Sequence, residues 1–97
     1  MADLEVVAVL TAKPGSEAVL RDALAALVEP TLAEEGCLDY KLFSSLADPT
    51  VFITTERWRA QSDLDAHMRS PHIRTALGVF GEHLAAPPGI HPLAPVA

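Results

Sequence analysis

The sequence is poor in cysteine, in basic residues and in long apolar runs. Its 97 residues include a single cysteine, Cys37, which excludes an intrachain disulfide. No apolar stretch approaches the ~18–20 residues that a membrane-spanning helix needs. The first residues show neither the basic region nor the separate apolar segment of a secretory signal. These absences favour a cytoplasmic protein that does not associate with membranes.

The charge balance excludes further classes of partner. Seven lysine and arginine residues stand against thirteen aspartate and glutamate residues, giving a net charge of -6 and an isoelectric point near 5.0. Proteins that bind nucleic acid or anionic membranes need a basic surface to neutralise phosphates, and this chain has too few basic residues for one. Small neutral or cationic ligands remain possible.

What the chain has in quantity is apolar residues, which make up 49% of it. Such a composition excludes intrinsic disorder, and the length predicts a single domain over residues 1–97. The apolar content is high for a small domain standing alone. We therefore expect part of the apolar surface to be buried against a partner.

The first third of the chain predicts a strand followed by a helix. Residues 4–12 are rich in β-branched side chains and end at the Lys13-Pro14-Gly15 turn signal, as strands do. Ser16 is a candidate N-cap, and the following helix is expected to end near Gly36, with Pro30 kinking it or tightening its last turn. The residues expected on its buried face are Leu20, Leu24, Leu27, Val28 and Thr31.

The next segment predicts a β-hairpin. Residues 37–45 and 50–58 have the composition of strands, and the Asp48-Pro49 pair between them initiates a turn.

Two short helices and a last strand are expected after the hairpin. Ser62 with Asp65 resembles a capping box, which predicts a helix through residue 68, and Ser70-Pro71 has the pattern of an N-cap followed by the first helical residue. The buried stripe expected on this second helix is Ile73, Leu77, Phe80 and Leu84. Residues 90–96 predict a strand that its two prolines confine to a sheet edge.

The order β-α-β-β-α-β predicts an α+β, ferredoxin-like fold, in which a four-stranded antiparallel sheet carries its helices on one face. The first strand is apolar on both sides, because Val7 and Val9 face away from Val6 and Ala8. A solvated sheet face is normally polar at alternate positions. We therefore predict a homodimer packed sheet against sheet, with a ligand cavity on the helix side of each chain.

Several strings of this sequence together resemble the antibiotic biosynthesis monooxygenase family, a family of dimeric α+β barrels that includes small quinol monooxygenases. The resemblance covers nearly the whole chain, from Leu4 to Val96. It implies a dimer and cofactor-free oxygenation, although the scaffold also hosts haem-degrading enzymes and isomerases. The strings are residues 13–17 (KPGSE), 34–40 (EEGCLDY), 48–52 (DPTVF) and 56–58 (ERW), His67, and residues 70–72 (SPH).

The resemblance does not extend to haem chemistry. Haem-degrading members carry an asparagine on the first strand, and a tryptophan and then a histidine in the second helical region. Here residues 4–12 contain no asparagine, His67 stands at the tryptophan position and Leu77 at the histidine position. Without a histidine at Leu77 no iron ligand is supplied, and no haem is expected.

Three residues are candidates for the base and proton relay that oxygenation of a phenol requires. His67 and His72 have imidazole side chains, whose ordinary pKa lies near neutrality. Glu56 lies on an otherwise apolar strand face, where a carboxylate must find a partner or be partly protonated. The alternatives are that both histidines are structural and that Glu56 forms an ion pair with a neighbouring arginine.

Three aromatic residues are candidates for contacts with a small aromatic substrate. Trp58 and Phe52 offer flat apolar surfaces and Tyr40 offers a hydroxyl donor, although each is also an ordinary core residue type. A metal site formed by Glu56, His67 and His72 is conceivable, but no HxxxH or HxH spacing supports it, and no metal ligand is predicted.

The family resemblance, together with the lack of any cofactor motif, thus implies a cofactor-independent monooxygenase that oxidises a quinol or polycyclic phenol with dioxygen. Two alternatives remain: an isomerase or lyase acting on a small sugar or lactone with the same residues, and a ligand-binding dimer without catalysis.

Overall fold

Helices and strands follow one another in the order β-α-β-β-α-α-β in the structure, a computed structural model that describes residues 3–97. No helix in this part of the chain is long and apolar enough to cross a membrane. The strands are β1 (Leu4–Thr11), β2 (Cys37–Ser44), β3 (Val51–Trp58) and β4 (Gly89–Leu93), and the helices are α1 (Glu17–Leu32), α2 (Gln61–Met68) and α3 (Pro71–His83).

The four strands form one antiparallel sheet in the order β2-β3-β1-β4. β1 lies inside the sheet, pairing with β3 from Leu4 opposite Trp58 to Thr11 opposite Val51. β4 pairs with the other side of β1 and is an edge strand, where Pro92 is tolerated because one row of its backbone groups needs no partner. The predicted α+β, ferredoxin-like architecture is confirmed.

The core lies between the sheet and the helices. Alternate residues of β1 and β3 turn towards the helices, which buries Val6 and Leu10 beside Phe52 and Trp58. The buried residues of α1 are Leu20, Leu24, Leu27 and Thr31, and those of α3 are Ile73, Ala76 and Phe80. Their spacing of three or four residues keeps each set on one helical face.

The predicted capping box of α2 is wrong, and the predicted N-cap of α1 is confirmed in position only. Helix α2 begins after Ala60, and no side chain caps it, so the Ser62–Asp65 capping box is absent. Ser16 occupies the predicted N-cap position of α1, but its side chain makes no capping bond; its hydroxyl lies 2.9 Å from Nδ1 of His83 instead. In both cases the serine side chain does not reach the free amide groups of the first turn, which a cap requires.

One expectation for a buried side chain is also wrong. Leu77 was expected in the buried stripe of α3, but 48% of its surface is exposed, and Ala76 takes the buried position. In β2 the register shifts between Cys37 and Asp39. This bulge places Cys37 against the core and leaves Leu38 exposed.

The second face of the sheet carries no helix. Its residues include Val7, Val9 and Ile53, which are half-buried, and Phe43, which is 48% exposed. Phe43, Ile53 and Val9 are register partners across three adjacent strands and so form a continuous apolar row.

Candidate active site

A cavity of about 60 Å³ lies between the helices and the sheet. Its walls are mostly apolar and include Leu10, Leu24, Leu27, Leu64, Ile73 and Phe80. The polar residues that line it are Tyr40, Thr54, Glu56 and His67. Met68, Leu77 and Ile90 are its exposed lining residues, so the opening lies between the α2–α3 region and β4. An apolar cavity with a few converging polar groups is the usual form of a small-molecule site.

His67 lies in the last turn of α2, and only 3% of its surface is exposed. Its ring packs against Trp58, with ring centroids 4.8 Å apart, and against Tyr40, at 5.8 Å. These two aromatic neighbours fix the plane of the imidazole at the wall of the cavity.

Glu34 follows α1 and is held by the turn into β2. Pro30 lies inside α1, and just beyond the end of this helix the Glu34 N–H donates to the Thr31 carbonyl at 3.0 Å. The Glu34 carbonyl then accepts from the Cys37 N–H at 3.1 Å. Gly36, in the same turn, lies so close to Asp63 that a Cβ atom would clash with the Asp63 side chain. The turn is thereby packed against α2 beside His67.

The Glu34 carboxylate joins the two candidate histidines. Its Oε2 atom lies 2.6 Å from Nδ1 of His67 and 2.8 Å from Nε2 of His72, and accepts a hydrogen bond from each ring. A carboxylate that binds an imidazole N–H fixes both the orientation and the tautomer of the ring. For His67 this places the proton on Nδ1 and leaves Nε2 as the acceptor. Within residues 3–97, Nε2 of His67 has no hydrogen-bond partner.

His72 is positioned by the start of α3. Ser70 caps this helix as predicted, accepting from the Ile73 N–H at 3.3 Å, while its own hydroxyl donates to the His67 carbonyl at 2.7 Å. One serine therefore fixes the end of α2 relative to the start of α3. His72 lies outside the cavity, in a shallow surface depression between α1 and α3, and 20% of its side chain is exposed.

Glu56 is buried at the cavity wall and has two hydrogen-bond donors. The Thr54 hydroxyl donates to one carboxylate oxygen at 2.7 Å, and the Trp58 indole N–H donates to the other at 2.9 Å. Among the residues that the structure describes, no arginine pairs with it, so the ion-pair alternative is not realised. Two donors on a buried carboxylate compensate for part of the cost of removing it from water.

Tyr40 faces the cavity beside this carboxylate. Burial, and then the negative charge of Glu56, raise the pKa of its hydroxyl well above the ordinary value. No residue between 3 and 97 forms a hydrogen bond with that hydroxyl. Tyr40 is therefore a protonated donor that is available to a ligand.

Cys37 takes no part in the site as a nucleophile. Burial, reinforced by the charge of Glu34, raises the pKa of its thiol from 9.0 to about 11. The reactive form of cysteine is the thiolate, which is scarce at neutral pH in this environment.

The other two aromatic candidates lie deeper than expected. Phe52 and Trp58 are 1% and 0% exposed, and neither lines the cavity. Trp58 acts on the site indirectly, because its indole binds Glu56 while its ring supports His67.

Glu34 was missed as a site residue by sequence reasoning. It stands 33 residues before His67 and 38 before His72, so no local spacing relates the three. The conceivable metal set contained Glu56, whereas the structure brings Glu34 to the two histidines. The available signal was the acidic pair at the end of a predicted helix, within one of the strings that carry the family resemblance.

Comparison with known proteins supports the family resemblance found in the sequence. The sequence profile described as "Antibiotic biosynthesis monooxygenase" matches residues 4–78. A Mycobacterium tuberculosis protein named "Putative monooxygenase Rv0793" is 37% identical over 91 residues, which are 94% of this chain and 89% of that protein. A Bacillus subtilis protein named "Putative monooxygenase YcnE" is 26% identical over 80 residues, covering 82% and 84% of the two chains.

Solved structures agree with this result. The structure of Rv0793 has a TM-score of 0.90 at 33% identity, covering 99% of this chain and 97% of that one. The protein PA3566 from Pseudomonas aeruginosa has a TM-score of 0.89 at 34% identity, covering 100% and 97%. The family resemblance and the fold predicted from the sequence are confirmed.

Proposed function

Because the chain belongs to the antibiotic biosynthesis monooxygenase family, we propose that it is a cofactor-independent monooxygenase that oxidises a quinol or a related phenolic substrate with dioxygen. The observation that supports this most directly is His67. Glu34 holds its Nδ1, and its ring lines an apolar cavity with Nε2 uncommitted.

The chemistry needs a proton acceptor and a dry cavity. A deprotonated quinol is rich enough in electrons to pass one to dioxygen, and recombination of the two radicals forms a carbon–oxygen bond. One oxygen atom stays in the oxidised product and the other leaves as water. All the electrons that reduce dioxygen come from the substrate, so no external reductant is required.

His67 is the base in this proposal. A substrate hydroxyl donates its proton to Nε2, and the resulting imidazolium is stabilised by the Glu34 carboxylate on the other side of the ring. His72 shares that carboxylate and reaches the surface, so the three side chains form a route for the proton between cavity and solvent.

Two further groups orient the substrate. The Tyr40 hydroxyl donates to a substrate oxygen, and the Glu56 carboxylate, fixed by Thr54 and Trp58, accepts from a second hydroxyl. Tyr40 and Glu56 are register partners on the adjacent strands β2 and β3, so this donor and this acceptor lie side by side on the sheet wall of the cavity, while His67 lies on the helix wall. At about 60 Å³ the cavity must widen to admit a quinol ring, since ligand pockets usually have volumes of ~300 Å³ or more. Met68 and Leu77 at the opening are exposed, so a shift of their side chains would widen the cavity without disturbing the buried core.

The test is oxygen uptake by chelator-treated protein supplied with a panel of quinols and anthrones, corrected for their spontaneous oxidation. We expect saturable uptake, and a fall of roughly 10²–10⁴-fold in His67→Gln, the usual range for loss of a general base. His91→Gln, which replaces an exposed histidine outside the site, is the matched control.

Two results would contradict the proposal: no uptake with any member of the panel, or a His67→Gln variant as active as the control. Turnover of a ligand under argon would instead favour an isomerase or lyase, which needs the same acceptor and donor but no oxygen. Far-ultraviolet circular dichroism verifies that each variant is folded.

A further inference from the structure

Glu34, His67 and His72 place three potential metal-ligand atoms together. Oε2 of Glu34, Nδ1 of His67 and Nε2 of His72 all lie within 4.8 Å of one another. Two imidazoles and one carboxylate are a donor set that suits zinc and its neighbours among the divalent transition metals.

The charge of the cluster favours a cation. Within residues 3–97, Glu34 forms no ion pair with a lysine or arginine, and the two histidines are the hydrogen-bond partners of its carboxylate. With both rings neutral the cluster carries one net negative charge, in a chain whose net charge is -6.

We propose that this cluster binds one divalent transition-metal ion of the Zn²⁺ class, with at least one coordination position left open. Pairs of ligand atoms around zinc lie about 3.0–3.4 Å apart when the bonds are about 2.1 Å long. The two hydrogen-bonded pairs, at 2.6 and 2.8 Å, need only a small outward movement. The side chains of His72 and Glu34 are 20% and 17% exposed, so the ion has a path of entry from the surface.

The ion would change the state of His67. A metal on Nδ1 takes the place of the N–H that now donates to Glu34, and the proton moves to Nε2 of the same ring. That nitrogen then donates into the cavity and no longer accepts a proton. Bound metal therefore inhibits the monooxygenase, a consequence that rests on the proposed function, whereas the binding itself does not.

Binding is tested with Zn²⁺ alone, by competition with a chromophoric chelator of micromolar affinity on the full chain freed of metal. We expect one ion per chain. Glu34→Gln and His72→Gln should each weaken binding at least about tenfold, because each removes a ligand. His91→Gln should bind as tightly as the unaltered chain.

Failure of the unaltered chain to compete with the chelator would overturn the proposal, as would equal binding by all variants, which would place the ion elsewhere. A second measurement needs no variant. Nitrogen chemical shifts of the imidazole rings should change for His67 and His72 when Zn²⁺ is added, while those of His83 and His91 stay constant. Shifts confined to His83 or His91 would contradict the assignment.

Oxygen uptake separates this proposal from the proposed function. Uptake that falls in proportion to Zn²⁺ occupancy and returns on chelation supports both. A chain that binds Zn²⁺ at the cluster but oxidises no substrate retains the metal site and loses the proposed function. Oxygen uptake that stays unchanged when Zn²⁺ fully occupies the site contradicts the inhibitory role.

Discussion

At the scale of single residues, Tyr40 offers the most direct probe of the site's electrostatics, because it is the only tyrosine of the chain. Its pKa is raised by burial and by the charge of Glu56. We therefore expect no tyrosinate absorbance near 295 nm when the folded protein is brought through pH ~10, where a free tyrosine ionises. The same chain in concentrated guanidinium should titrate at the ordinary value, which is the internal control.

This shift predicts how stability depends on pH. An unfolded chain ionises Tyr40 near pH ~10, while the folded chain keeps the proton to higher pH. Folded protein then binds more protons than unfolded protein, so the free energy of unfolding falls as the pH rises above ~10. Below that pH the contribution is fully present. Tyr40→Phe should reduce the alkaline loss in urea unfolding. Absorbance that rises near pH 10 while the circular dichroism stays native would contradict both expectations.

At the scale of helices and strands, Ser70 fixes the relative placement of α2 and α3, and with it the two histidines that bind Glu34. Its hydroxyl caps α3 and also donates to the last turn of α2. Ser70→Ala should lower the free energy of unfolding by about 1 kcal/mol, the typical value of an N-cap, or somewhat more because a second bond is lost.

Ser62→Ala is the matched control for this prediction. Ser62 also stands near a helix start but is exposed and caps nothing, so the substitution should change stability by less than about 0.5 kcal/mol. Urea unfolding followed by Trp58 fluorescence measures both variants. Equal losses in the two would show that Ser70 does not hold the α2–α3 junction.

The contrast between the two serines shows where sequence reasoning succeeds for this chain. The β-branched run of β1 with its closing turn signal and the apolar stripe of α1 are strong patterns, and they correctly predicted this strand and this helix. The bulge after Cys37 and the absent cap at Ser62 depend on how neighbouring segments pack, which short-range patterns do not encode.

Sequence reasoning meets the same limit at the candidate active site. His67 and Glu56 were reached from the chemistry of their side chains, and both line the cavity. Glu34 was not, because its link to His67 and His72 exists only after the turn following α1 is packed against α2 and α3. A contact between residues more than 30 positions apart is a property of the fold.

At the scale of the whole molecule, the face of the sheet without helices is the main apolar surface that a single chain leaves uncovered. It carries Val7, Val9, Phe43 and Ile53, opposite the face that packs on the helices. A solvated sheet face is normally polar at such positions. We propose that two chains pair through this face, as the apolar surplus of the composition predicts. A stable interface buries about 1,200–2,000 Å² in total, which needs most of such a face.

Ile53 is the position at which this proposal is most sharply tested, because it lies in the middle of the apolar row between Val9 and Phe43. Ile53→Lys would bury an unpaired charge in the interface, which costs several kcal/mol, whereas in a separate chain the lysine reaches water. We expect light scattering after gel filtration to give a dimer for the unaltered chain and a monomer for Ile53→Lys. Leu46→Lys, the same kind of change at a fully exposed loop position, should remain dimeric.

An unaltered chain that is monomeric at micromolar concentration would refute the dimer. An Ile53→Lys variant that stays dimeric would place the interface on another surface.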